Sequence, residues 1–360
     1  MVERNALCHC GSGKKYKKCC LIQEELQQHS NNLDTDIAIK KMISSQIKES
    51  NTKHCLHPKQ NECSGGIVNA HSIQNNRILN AISHKGIVKM IKPQITNGIM
   101  LAKMSDVGRG QATTFSGFCG FHDKVTFQPI EDCPYQGTNQ QKFLLAYRAF
   151  AFDYHAKYQQ AHATKSAIER HSHSESALYK KFIHDNEFAL SNLNRVKEQF
   201  DQSIITADYD VINGLELKLP GCARIAVCSS YWLKYDLVGN KINNDSCDDG
   251  NQFKYVFVNI FPQDAFTYVN ISWLKGDDDY FDKFRYQLNS LQIQDQLRIL
   301  NNLIPLYSEN FALHPELWNS YTKIQKEELE SVFSQVYAVS PHDLTKNRRY
   351  DLFKDLSSST

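Results

Sequence analysis

The chain has 360 residues, 41% apolar and 22% charged, with a formal net charge of +2. At ~100–200 residues per domain, that length suggests two or three units with enough chain for a sizeable core. The balance excludes collagen-like, coiled-coil and wholly disordered chains, and it excludes a global basic field of the kind many nucleic-acid binders carry. No run approaches ~18 apolar residues, so no membrane helix is expected. The opening MVERNALCHC lacks the apolar core of a secretory signal, so a cytoplasmic protein is expected. Of eleven cysteines, eight lie before residue 140. In a reducing compartment clustered cysteines are more often metal ligands than disulfides, which places the expected metal chemistry in the first third.

In chain order, residues 1–22 hold a compact Cys/Lys cluster. Residues 23–50 are polar, with a weak helical pattern around Ile37, Ile39, Met42 and Ile43, and read as a helical linker. Residues 51–140 mix cysteines, histidines and glycines with short apolar runs, a composition that suits a small metal-stapled module. Residues 141–340 read as one larger α+β domain. Its helices begin with Leu144, Tyr147, Phe150, Ala151 and Tyr154 at helical spacing, followed by Phe182, Phe188, Leu193, Val196 and Phe200. Four stretches between 208 and 275 are rich in β-branched and aromatic residues and read as an antiparallel meander. Helices return over 279–337, and the polar 341–360 read as a frayed tail.

The first cluster runs Cys8-His9-Cys10-Gly11-Ser12-Gly13-Lys14-Lys15-Tyr16-Lys17-Lys18-Cys19-Cys20. Tetrahedral zinc takes four thiolates readily, and the glycines let the backbone turn tightly between ligand pairs. The pattern resembles the SEC-C motif, the zinc-binding tail of the SecA translocation ATPase, at every motif position, with Cys20 in the last slot. The resemblance implies structural zinc on Cys8, Cys10, Cys19 and Cys20. Four protein ligands close such a site, so it is not read as catalytic. In SecA the motif supports contacts with partner proteins and ribosomes, so the resemblance implies a protein or nucleic-acid contact here. The lysines at 14, 15, 17 and 18 would face it, or would form a plain solvated face.

The second cluster spans Cys55, Cys63, Cys119 and His122, the ligand set of a treble-clef finger. Cys119-x2-His122 suits a ligand pair at a helix start. An alternative gives His122 to a catalytic metal, with Cys133 completing the zinc site. Between the pairs, Gly66–Gln74 reads as a short strand carrying His71. Over residues 51–131 the chain resembles HNH-family nucleases, whose pattern is a cysteine pair, a strand with His-x-Ile-Pro, and a second ligand pair opening a helix. Carried across, the resemblance makes His71 the general base and Asp123 the ligand of a catalytic Mg²⁺ or Mn²⁺. It leaves Cys55, Cys63, Cys119 and His122 for a second structural zinc. This sequence departs from the pattern at Gln74, where proline is usual. It departs also at Ala70, where a metal ligand is common, and in an insertion at about 77–112. No asparagine sits at an unambiguous motif position, and Asn75 and Asn76 are candidates.

The functional expectation is an HNH-like metal-dependent nuclease acting on DNA or RNA, with bacterial phage defence or a toxin role as the analogous setting. The alternatives are a non-catalytic zinc adaptor that binds protein or nucleic acid, with His71 a core histidine bonded to backbone, and a ligand-sensing protein whose C-terminal domain carries the main activity. Arg77, Lys85, Lys89, Lys92, Lys103 and Arg109 are expected to line a phosphate-binding surface or a dispersed solvated face. His171 and His173 read as exposed residues, Asp277–Asp279 as an acidic turn that opens a helix. Cys222, Cys228 and Cys247 read as small packed residues. The fold class expected is α+β: an SEC-C knob and a treble clef, both stapled by zinc, before a larger domain with an antiparallel sheet and flanking helices.

Overall fold

The computed structural model describes residues 3–21, 52–96, 99–170, 177–244, 252–335 and 339–357. The expected linker helix, His171, His173 and Cys247 lie outside the described residues. The chain divides into two compact units: Met1–Thr52 with Ile95–Met100 and Lys157–Phe188, and Lys53–Gln94 with Leu101–Ala156 and Ala189–Thr360. The architecture is α+β, as the residue patterning implies.

In the first unit, residues 3–21 form a knob around Tyr16, Cys8 and Cys20. Cys8 donates its N–H to the Lys14 carbonyl at 2.7 Å, and Tyr16 donates to Ala6 at 2.8 Å. The loop between them turns at Gly11 and Gly13, with φ of 75° and 70°. Side chains disfavour that left-handed region, and glycine enters it freely. A single 3-10 turn, Tyr16–Lys18, delivers Cys19 and Cys20.

In the second unit, β1 (Ile67–His71) pairs antiparallel with β4 (Thr114–Cys119). Helix α1 (Gly120–Glu131) follows β4 directly. The insertion between β1 and β4 folds as β2 (Ile87–Thr96) and β3 (Ile99–Gly108). These join a seven-stranded sheet with β5 (Ile212–Pro220), β6 (Ile225–Trp232), β7 (Tyr255–Gln263), β8 (Phe266–Leu274) and β9 (Phe311–Leu313). The order is β3-β2-β9-β6-β7-β8-β5.

The meander holds for β6, β7 and β8 only. β5 pairs along its whole length with β8, from Ile212↔Leu274 to Pro220↔Phe266. Residues 221–224 then cross the β7–β8 turn to reach β6. Gly221 N–H donates to the Ala265 carbonyl and Ala223 N–H to Thr267 Oγ1, both at 2.8 Å. Those bonds are tertiary, so strand patterning carries no sign of the crossing. Pro220 has no N–H to give and sits on this edge strand, where that lack is tolerated.

The long helices α2 (Asn139–Arg170) and α3 (Ala177–Thr206) precede β5. After β8 come α4 (Asp278–Asn289), α5 (Ile293–Tyr307), α6 (Pro315–Asn319) and α7 (Lys323–Phe333). Strand alternation on β7 shows the layering. Val256, Val258 and Ile260 join one core with Leu297, Leu300 and Leu303 of α5. Phe257 points the other way, its ring 5.1 Å from Phe200 of α3 and 6.4 Å from Phe150 of α2. The stripe expected at 144–154 is buried throughout. Asp278 and Asp279 open α4, as an acidic first turn should. Cys228 is buried, but Cys222 is exposed, with its thiol donating to the Asp264 carbonyl at 2.8 Å.

Candidate metal centres and the His71 site

The first group brings Cys8, Cys10, Cys19 and Cys20 together, with their sulfurs within 4.8 Å of one another. Cys10 and Cys19 Sγ are 3.3 Å apart. A disulfide is ~2.05 Å, so these are thiols in contact. Bonds of ~2.3 Å to one zinc would set tetrahedral sulfurs about 3.8 Å apart, so a small outward shift admits the ion. Hydrogen bonding from Ser12, then from Cys19, holds the Cys10 thiol down at about 6. Lys15, Lys17 and Lys18 are exposed beside the cluster.

The second group is built from three local devices. Gln60 Nε2 donates to the Cys55 and His57 carbonyls at 2.6 and 2.7 Å, which folds the 3-10 turn Gln60–Glu62 back on Cys55 and presents Cys63 at its end. Cys119 ends β4 and caps α1, its sulfur accepting the His122 N–H at 3.4 Å. His122, in the first turn of α1, is fully buried and turns Nδ1 toward all three sulfurs. The distances are 3.4 Å to Cys55, 3.5 Å to Cys63 and 3.3 Å to Cys119. Zinc bonds of ~2.3 Å to sulfur and ~2.05 Å to nitrogen put tetrahedral S and N about 3.6 Å apart, so this donor set fits zinc almost as it stands. Cys133, the alternative ligand, is exposed and outside the group.

One contributor went unread in the sequence. The ring of His57 stacks on His122, centroids 3.8 Å apart and 14° from parallel. Burial first, then the neighbouring His122, pushes the His57 pKa down to about 4. A neutral ring there covers the ligand without adding positive charge beside a cation. The spacing Cys55-x-His57 is the only sequence signal that pointed to it.

His71 sits at the end of β1, beyond an irregularity that sets Ser116 and Gly117 opposite Asn69. Such a bulge shifts the alternation and re-aims the residues that follow. His71 is half-buried, and its Nε2 lies 3.3 Å from the Arg109 carbonyl. A carbonyl only accepts, so Nε2 carries the proton and Nδ1 keeps its lone pair. Burial lowers the His71 pKa, which favours the neutral ring. Asp123, one residue past His122, is half-buried on α1. Burial raises its pKa, and Arg148 is the strongest opposing influence.

Two further residues complete this neighbourhood. Arg148 of α2 is 4% exposed, lies 4.2 Å over the Phe127 ring and pairs with Glu131 at the end of α1. Both groups act electrostatically on His71 and on Asp123. A cation inside the apolar stripe 144–151 is a readable anomaly, because buried arginines need partners.

Gln74, where the resembled pattern has proline, donates through Nε2 to the Glu131 carbonyl at 2.5 Å. Arg77 adds bonds to the carbonyls of Ile130, Glu131 and Cys133, closing the end of α1. Of the basic residues expected on a phosphate-binding surface, Arg77 is thus engaged internally. Lys89 pairs with Asp106, Lys103 with Glu330, and Arg109 with Asn80. Local pairing, rather than an open basic face, accounts for these four.

A family model, the SEC-C motif, matches residues 4–21. No curated protein and no solved structure matches the chain. The motif and the two Cys/His groups together mark two candidate zinc sites. Among the described residues, no helix is long and apolar enough to cross a membrane.

Proposed function

We propose that the second unit is an HNH-like, metal-dependent nuclease that hydrolyses phosphodiester bonds of DNA or RNA, with structural zinc in both cysteine clusters. The observation that carries this reading is the placement of His71: at the end of β1 its Nε2 lies 3.3 Å from the Arg109 carbonyl, a contact that favours the proton on Nε2 and leaves the Nδ1 lone pair for a substrate water. Asp123 is the side chain that would hold a divalent cation, with Glu131 and Arg148 setting the local charge. Such a cation, when bound, neutralises charge on the phosphate and on the leaving oxygen. A zinc held by Cys55, Cys63, Cys119 and His122 would tie the 55–63 loop to the end of β4 and the start of α1, while strand pairing of β1 with β4 puts His71 on the same frame as Asp123. The SEC-C knob, with exposed lysines beside a closed site, serves as a docking element for a protein or nucleic acid.

The test pairs metal analysis with plasmid and RNA cleavage in Mg²⁺ or Mn²⁺, comparing wild type with His71→Ala. Two zincs per chain and cleavage lost in the variant support the nuclease. Two zincs with no cleavage on any substrate would favour the non-catalytic adaptor, in which the bond to Arg109 merely fixes a half-buried histidine.

A further inference from the structure

A second site lies in the same unit and shares no residue with either cysteine cluster. Between the start of α2 and the strands β5, β8 and β7 is a cavity of about 290 Å³. Its floor is a row across three strands, Glu216↔Asn270↔Asn259. On β7 the flanking residues of the same face, Phe257 and Phe261, are apolar and buried, so the row is a polar island in a core surface. Asn259 and Asn270 are 3% and 6% exposed. Buried amides destabilise a fold unless hydrogen bonds satisfy them.

These amides are only partly satisfied within the chain. Asn259 Nδ2 donates to the Leu145 carbonyl at 3.2 Å, which orients its amide and leaves Oδ1 as an acceptor. The Asn270 amide lies 3.0 Å from the Tyr135 hydroxyl, and its other polar atom is buried with no partner. Tyr135 Oη also contacts Glu216 Oε2. The hydroxyl has one proton and the carboxylate only accepts, so Tyr135 donates to Glu216. Asn270 must then offer its NH₂ to the tyrosine oxygen, which leaves its carbonyl oxygen as the buried atom without a partner, in a residue that lines the cavity. The residues of the floor therefore hold acceptors that lack donors.

The rim is charged but balanced. Lys142 stands 3.6 Å from Glu216, and Lys275 pairs with Asp210 at 2.7 Å. Two cations facing two carboxylates give no net field, which disfavours a polyanion and suits a ligand neutral overall. The volume is at the lower end for ligand pockets and suits a metabolite rather than a polymer.

We propose that this cavity binds a small, net-neutral metabolite that offers N–H donors to Asn259 and Asn270 and a neighbouring carbonyl or carboxylate oxygen to the rim lysines. An α-amino acid and an amino-bearing nucleoside both have this chemistry. The proposal does not rest on the nuclease reading, and its test uses no cleavage assay.

The test measures thermal unfolding of the zinc-loaded full chain with millimolar l-amino acids or ribonucleosides, then calorimetry on any compound that raises Tm. One class should bind with one-to-one stoichiometry, and which class does so identifies the source of the shared chemistry. Asn270→Ala and Lys142→Met should each weaken that binding about ten-fold or more, the scale of one lost buried or charge-assisted hydrogen bond. Lys142 is 40% exposed, so its variant keeps the test decisive if Asn270→Ala fails to fold. No Tm shift with either class overturns the proposal. So does a ligand whose affinity both folded variants leave unchanged.

Discussion

Replacing Gly117 by alanine puts the architecture of the second metal centre to a direct test. A Cβ at this position would lie 2.6 and 2.8 Å from Phe115 Cε2 and Cδ2, and 3.2 Å from Leu56 Cδ1. Carbon atoms do not approach so closely, so the Phe115 ring must move by about 1 Å. It has little room, because edge contacts at 5.8, 5.5 and 5.7 Å tie it to Phe118, Phe152 and His155. Overpacking of this kind costs ~1–3 kcal/mol. The strain also has a path to the metal: Leu56 donates its N–H to the Gly117 carbonyl at 2.8 Å, and Leu56 adjoins the ligand Cys55. Gly110→Ala is the control, since a Cβ there meets nothing within 4 Å and should cost within ~0.5 kcal/mol. The assays are urea unfolding of the zinc-loaded chain and the rate of zinc transfer to a chromogenic chelator. Gly117→Ala should lower the midpoint and speed release from one of two sites. Equal midpoints and equal release rates for the two variants would refute the reasoning.

The remaining predictions concern ligands and charge. Cys10→Ser and Cys119→Ser should each reduce bound zinc from two ions to one by metal analysis, and a variant that loses both ions would show that the centres are not independent. His71→Ala should slow cleavage by ~10²–10⁴-fold with zinc content unchanged, the usual scale for a lost general base. Because burial lowers the His71 pKa and a base works in its neutral form, the acid limb of the pH–rate profile should fall below 6.5; a limb at or above that value contradicts the assignment. Arg148→Met strips the partner from Glu131 and should cost about 3 kcal/mol in chemical denaturation. That figure is the lower end for a broken buried pair, because the Glu131 side chain, 34% exposed, can recover water.

Local chemistry was readable from residue order alone. Four cysteines within thirteen residues, broken by glycines, mark a metal knob. Cys119-x2-His122 marks a ligand pair at a helix start, and α1 does begin at Gly120. The apolar stripe of α2 and the β-branched runs of β6, β7 and β8 identify which faces are buried. Periodicity of this kind reports that a face is covered, but it carries no label for what covers it. Hence β5 beside β8 rather than β6, and the insertion strands joined to the far end of the chain through Lys89↔Leu313, were decided only in the tertiary structure. The same holds for the sites. His57 over His122, Arg148 beside Glu131, and the Asn259–Asn270–Glu216 row are juxtapositions of residues that are distant in sequence or have no motif of their own. Side chains reveal donors and acceptors one residue at a time; only the folded chain decides which of them meet, and which are left without a partner.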